Sequence, residues 1–299
     1  MSYEVSPIHE QFHDPTSVSD WKESYYFQFY DPQIKLAAFF YISAYPNIPK
    51  RDYLVAYLAD GDVDIYLNTK PTPGKLEALS DGKLRFELIQ PHELWKIHFN
   101  DGKRFAQLEF TGRFDPFAYD ARQAYQQGVL EQEHYEQGCF VEGTIKLANG
   151  KELQIDCYGH RDHSWGLRNY AAINEWNWIA AQFPWCTINI IKLHIGAKHE
   201  TAGFLSSLVG NQHLTDITLK THFDTDKITP LGFTVQFTDE QHKEWQLSST
   251  KLQTMMYPPR QSKPGRETNI YEIVSEFALH DDPGKGYGIA EYLRSRETK

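Results

Sequence analysis

Leu84-Arg85-Phe86-Glu87-Leu88-Ile89, then Trp95-Lys96-Ile97-His98-Phe99, then Phe105-Ala106-Gln107-Leu108-Glu109-Phe110 follow one another closely, with Asn100-Asp101-Gly102-Lys103 between the last two. In the third run Ala106, Leu108 and Phe110 fall on one face of an extended chain, and Phe105, Gln107 and Glu109 on the other. That two-residue period belongs to a strand, and the Asp-Gly turns at Asp81-Gly82 and Asp101-Gly102 make the whole an antiparallel meander. No 3.6-residue periodicity competes with it over any long window.

The same grammar extends in both directions. Upstream, Ser24–Tyr30 ends at Asp31-Pro32, Lys35–Tyr45 stops at Pro46-Asn47, and Tyr53–Leu58 runs to Asp60-Gly61-Asp62. Downstream, Phe140–Leu147 and Glu152–Tyr158 read as a hairpin across Ala148-Asn149-Gly150-Lys151. Further strands are expected at Trp176–Phe183, Thr187–His194, Thr201–Leu208, Leu214–Thr221, Phe233–Thr238, Glu244–Leu252, Tyr271–Leu279 and Tyr287–Leu293. Phe117–Gln132 is the main irregular interval and has room for one short helix. Residues 1–20, polar and carrying Pro7 and Pro15, read as an N-terminal arm. The prediction is an all-β chain, either tandem antiparallel barrels or sandwiches or one very large one, with no residue-level repeat between its halves.

Composition narrows the function. The 299 residues carry 40 acidic against 30 basic side chains, a net charge of -10, which disfavours nucleic acid as a partner. The 18 Tyr, 18 Phe and 7 Trp suit a strand-rich core and pockets for apolar ligands. Cys139, Cys157 and Cys186 show no CxxC spacing, so buried, reduced thiols are expected. Neither a secretory signal nor an apolar run long enough for a transmembrane helix is visible, and a cytoplasmic protein is expected.

The densest polar stretch is Gly159-His160-Arg161-Asp162-His163-Ser164-Trp165-Gly166-Leu167-Arg168. Lying between apolar strands, its polar groups must pair with each other or face a cavity. If it is extended, His160, Asp162 and Ser164 share one face, and Arg161, His163 and Trp165 the other. Asp162 reads either as a general acid or as a structural acceptor for Arg161 or Arg168. His163 reads as a proton shuttle or as a satisfied core histidine. Gly159 and Gly166 mark bulges or a close approach of backbone. His134-x-Glu136 forms a second cluster. With His160 and Asp162 it supplies metal-type ligands, but without HxH or HExxH spacing, so no metal is expected. Neither a GxSxG elbow nor a phosphate-binding loop occurs.

Gly159–Arg168 resembles a G-x-RDHSWG-x-R motif found in one branch of the carotenoid 1,2-hydratase (CrtC/AttH-like) superfamily. Glu23–Phe27 with Phe29-Tyr30-Asp31-Pro32 and Pro46-Asn47, His134-Tyr135-Glu136-Gln137, and Gly286–Tyr292 are similar to other parts of the same pattern. The resemblance implies two tandem lipocalin-like antiparallel β-barrels, here assigned to residues 21–168 and 169–299. It also implies a cofactor-independent enzyme that uses acid/base chemistry, by hydration, isomerisation or cyclisation, on an apolar isoprenoid- or polyketide-like molecule. The alternative is a non-catalytic carrier of a hydrophobic small molecule. The expected catalytic residues are Asp162 and His163. His134, Glu136, His160, Trp165, Trp176, Trp178 and Glu291 are expected at the substrate, Glu291 as a lone acid pointing into the second barrel or facing water. Arg161 and Arg168 are expected as structural clamps, with Asp162 within reach of Arg161, Arg168 or His163. A homodimer is compatible with this reading.

Overall fold

The expected meander is present in a computed structural model, which describes residues 5–71, 78–119, 130–257, 260–263 and 265–297. Strands β1 (Trp21–Asp31), β2 (Leu36–Tyr45), β3 (Lys50–Ala59) and β4 (Asp62–Lys70) follow as hairpins. A second run comprises β5 (Leu84–Gln90), β6 (Leu94–Asn100), β7 (Phe105–Gly112), the short β8 (Phe117–Tyr119), β9 (Leu130–Lys146) and β10 (Glu152–Arg168). Pairing of β1 with β10 joins the runs in the order β4-β3-β2-β1-β10-β9-β7-β6-β5, with β8 added on β9. The short helix expected within Phe117–Gln132 lies largely outside the described residues; Phe117–Tyr119, which is described, is strand.

The second unit follows the same path. Its strands are β11 (Ile173–Gln182), β12 (Cys186–Ile195), β13 (Lys198–Ser207), β14 (Gly210–His213), β15 (Thr215–Phe223), β16 (Pro230–Thr238), β17 (Glu244–Met256), β18 (Arg260–Lys263), β19 (Arg266–Leu279) and β20 (Lys285–Glu297). Their order is β14-β13-β12-β11-β20-β19-β17-β16-β15, with β18 on β19. The halves, without residue-level similarity, thus repeat as topology. One sheet curls into a half-barrel and the other into a nearly closed barrel. Among the described residues the only helices are 3-10 turns at Pro7–Glu10 and Tyr170–Ala172. None is long and apolar enough to cross a membrane.

Each unit has its own core. In the first, Tyr25, Phe27 and Phe29 of β1 meet Phe86, Trp95, Phe99 and Phe110, with Val141 and Ile155 from the β9–β10 pair. In the second, Ile179, Ile188, Ile190, Phe233, Phe237, Ile273 and Phe277 pack together. The three cysteines are free, and Cys139 and Cys186 are buried. Burial pushes the Cys139 thiol up to about 12.

The polar motif is not a connection between two strands. It is the second half of β10, a 17-residue strand paired with β9 along its whole length without a register shift. Gly159 is therefore no bulge. A Cβ there would lie 2.7 Å from the Gln28 carbonyl oxygen and 2.5 Å from Val141 Cγ2, so glycine permits close strand approach.

Candidate active site

Alternation along β10 splits the motif into two networks on opposite faces of the sheet. Arg161, His163 and Trp165 share the face of the first-unit core, together with Tyr135 and Gln137 of β9 and Glu23 and Tyr25 of β1. His160, Asp162 and Ser164 share the other face with His134 and Glu136 of β9.

On the core face, the arm closes over the motif. Arg161 donates from Nη2 to Glu10 Oε1 at 2.7 Å, from Nη1 to Glu10 Oε2 at 3.0 Å, and from Nε to Gln137 Oε1 at 2.8 Å. The Tyr135 hydroxyl donates to Glu10 Oε2 at 2.6 Å, and the His92 backbone N–H to Oε1 at 2.9 Å. Burial alone would raise the Glu10 pKa, but the Arg161 charge and these hydrogen bonds outweigh it and hold the group at about 2. Since the Tyr135 proton goes to Glu10, the Tyr135 oxygen accepts from His163 Nδ1 at 3.1 Å. His163 Nε2 lies 2.8 Å from Glu23 Oε1. Burial is the largest influence on both groups, pushing His163 down and Glu23 up, so both shifts run against the charged form of the pair. His13 also reaches Glu23 Oε1, at 2.8 Å, and its ring stacks on Trp165 with centroids 3.7 Å apart.

On the other face, His134 Nε2 lies 2.5 Å from Asp162 Oδ2 and 3.0 Å from Glu136 Oε1, while Glu136 Oε2 lies 2.6 Å from His160 Nε2. Tyr119 stacks on His134. Burial would lower the His134 pKa, but the adjacent Asp162 and Glu136 raise it to about 9, so His134 is an imidazolium at neutral pH. Burial would raise Asp162, but the charge and hydrogen bond of His134, then Arg168 and His160, bring it below its usual value. The Asp162 side chain is 15% exposed against 3% for His134 and 0% for Glu136, so the chain of groups opens at Asp162. Across the strands Tyr41, Tyr26, Asp162 and Glu136 form one row, the first three partly exposed. Gln28, opposite His160 and buried, has neither amide atom partnered among the described residues.

Of the three expected partners of Asp162, His163 and Arg161 point to the opposite face, because neighbours on a strand alternate, while Arg168 acts on it through its charge; its hydrogen-bond partner is His134. Trp165 likewise lies on the arm side, away from Asp162. Arg161 is held by Glu10 and Gln137, and Arg168 donates to Ser164 Oγ at 3.2 Å. The structure thus brings together His134, Glu136, His160 and Asp162. Trp176, Trp178 and Glu291 belong to the second unit. There Glu291 lies opposite Trp178 and Glu272, on the face away from that unit's core, so it is neither lone nor inside the barrel. Glu10 and His13 join the site without any local sequence signal of their own, whereas Glu23 and Tyr135 lie in stretches that resemble the family pattern but carry no chemistry by themselves. A groove of about 390 Å³ lined by Asp216, Thr238, Trp245 and His280, among others, involves none of the motif.

Two groups, His13–Glu23–His163 and His134–Glu136–Asp162, bring three metal-type ligand atoms within 4.8 Å of one another. Several of these atoms lie 2.5 to 3.0 Å apart, whereas ligands around a tetrahedral zinc stand roughly 3.3 Å from each other. The spacing is that of shared protons.

Fold and site together define an all-β protein of two lipocalin-like antiparallel sheets, a half-barrel and a nearly closed barrel, with a histidine–carboxylate cluster on one strand pair. The chain belongs to the family described as a domain of unknown function, DUF7064, whose model matches residues 6–296. Solved structures share the fold. The AttH-like protein NE1406 of Nitrosomonas europaea is 14% identical with a TM-score of 0.70, covering 91% of this chain and 92% of that one. Kievitone hydratase of Nectria haematococca is 16% identical with a TM-score of 0.65, covering 97% and 93%. CghA is 10% identical with a TM-score of 0.62, covering 94% and 89%. At these identities the likeness is one of fold. No curated protein matches the chain.

Proposed function

We propose that this protein is an acid–base enzyme acting on an apolar isoprenoid- or polyketide-like molecule, with Asp162 and His134 moving the proton in a hydration, isomerisation or cyclisation. One observation carries the reading: Asp162 is the partly exposed end of an otherwise buried relay, His160–Glu136–His134–Asp162, in a row with Tyr26 and Tyr41. A structural carboxylate needs partners but no opening. Here the accessible group is a carboxylate whose proton source, a histidine held charged at neutral pH, is directly behind it. Tyrosine rings beside it suit an apolar ligand and a developing cation. Gln28 adds an unfilled hydrogen-bonding position on the same face. The fold shared with kievitone hydratase, by name a hydratase, supports the same class.

The test incubates the protein with a panel of isoprenoid and polyketide-like alkenes in D2O. The wild type is expected to yield a product with carbon-bound deuterium. Asp162→Asn and His134→Gln are expected to lose that activity by about 10²-fold or more while binding the same compounds. Recovery of every compound unchanged from a folded wild type that binds them favours a carrier. Full activity in Asp162→Asn removes Asp162 from the chemistry.

A further inference from the structure

The groove on the second unit borders an irregularity in β15. Thr215 stands opposite Thr238 and Thr218 opposite Gln236, so a step of three residues along β15 matches a step of two along β16. Within this β-bulge Asp216 takes a φ of 50°, a left-handed conformation that few residues other than glycine adopt. A bulge bends its strand and re-aims side chains, and bulges gather beside functional sites. The groove here has a volume of about 390 Å³ and is lined by Asp216 and Thr218, by Gln236 and Thr238 of β16, and by Glu244 and Gln246 of β17. Spaces of that size hold small organic ligands.

Most of this lining is uncharged. Val235, Phe237 and Leu247 belong to the unit's core, so Gln236 and Gln246, directly opposite each other, face outward, with Thr218 beside Gln236. Thr238 and Glu244 form the next row. None of these five side chains hydrogen-bonds or ion-pairs with a protein group among the described residues. Two amides and two hydroxyls, each able to donate and to accept, therefore stand side by side with that capacity unused by the protein.

Charge around them narrows the ligand. Asp216, Glu244 and Asp281 line the groove against Lys243 and His280. The Lys243 ammonium lies over the Trp245 ring, 3.3 Å from its centroid, and His280 Nδ1 is 3.0 Å from Asp281 Oδ2. The excess of carboxylates repels phosphates and organic acids. A cation would use the carboxylates but leave the amide N–H donors idle. A molecule rich in hydroxyls uses both, donating to the carboxylates and accepting from the amides. Trp245, half-buried with Nε1 donating to Asp239 Oδ2 at 2.8 Å, adds apolar surface for the C–H groups of a sugar ring.

We propose that this groove is a binding site for a neutral saccharide, held by Gln236, Gln246 and Thr218 with carboxylates from Asp216 and Glu244. This goes beyond the Asp162 reading and does not depend on it.

Saturation-transfer NMR with maltose, cellobiose and lactose as probes tests it. The wild type is expected to transfer saturation to at least one of the three. Gln236→Ala and Gln246→Ala are each expected to weaken that binding by about 2- to 10-fold, the worth of one hydrogen bond, and the double variant to lose it. Both positions are exposed, so the melting midpoint should stay where it is. Asp162→Asn is expected to bind the sugar as the wild type does. Three outcomes would each overturn the proposal: no transfer to any of the disaccharides, undiminished binding in the double variant, or binding of spermidine where the sugars do not bind. The Asp162 reading fails separately, through the deuterium experiment, with sugar binding intact.

Discussion

Glu10→Gln is expected to destabilise the first unit by about 3–5 kcal/mol, since it leaves Arg161 charged and buried with Gln137 as its remaining strong partner. Proton linkage leads to a similar figure. The Glu10 pKa falls from 4.5 to about 2, and that difference corresponds to roughly 3 kcal/mol. The contribution is present above the unfolded value of 4.5 and is lost as pH falls toward 2. For a unit of this size the midpoint of thermal unfolding should drop by roughly 6–20 °C. Circular dichroism or calorimetry at pH 7 reads it, with Glu10→Gln/Arg161→Met as the companion. Removing both charges should recover part of the loss, because the penalty lies in the orphaned guanidinium rather than in the missing attraction. A Glu10→Gln midpoint within about 2 °C of wild type would refute the claim that the arm is clamped by this pair.

Gly159→Ala should cost about 1–3 kcal/mol, because its Cβ would press on the Gln28 carbonyl, a backbone group that cannot swing aside; denaturant titration measures it. Alkaline pH should weaken the first unit. The raised His134 pKa contributes stability that is complete below about 6.5 and lost as pH rises through about 9, so the melting midpoint should fall across that window, and less in His134→Gln.

Much of the fold is legible in the sequence, because alternation such as Ala106, Leu108 and Phe110 against Phe105, Gln107 and Glu109 admits little besides a strand. The repeat of the strand path is not, since topology can persist where residues have diverged. His134, Glu136, His160 and Asp162 each stand out as unusual polar residues. Their meeting depends on a β9–β10 register that carries Asp162 opposite Glu136 and Ser164 opposite His134, and no local pattern specifies that. Glu10 and His13 sit in a polar arm that reads like any solvated terminus, and only their packing against Arg161, Glu23 and Trp165 reveals them.

The charge state of His134 tests the central claim most directly. In protein labelled with 15N-histidine, the ring nitrogens of His134 should report an imidazolium at pH 7 that titrates near 9. In Asp162→Asn the same ring should titrate at a clearly lower pH, because the Asp162 charge is the largest influence raising it. A His134 that is neutral at pH 7 in the wild type, or that titrates identically in both proteins, would contradict the account.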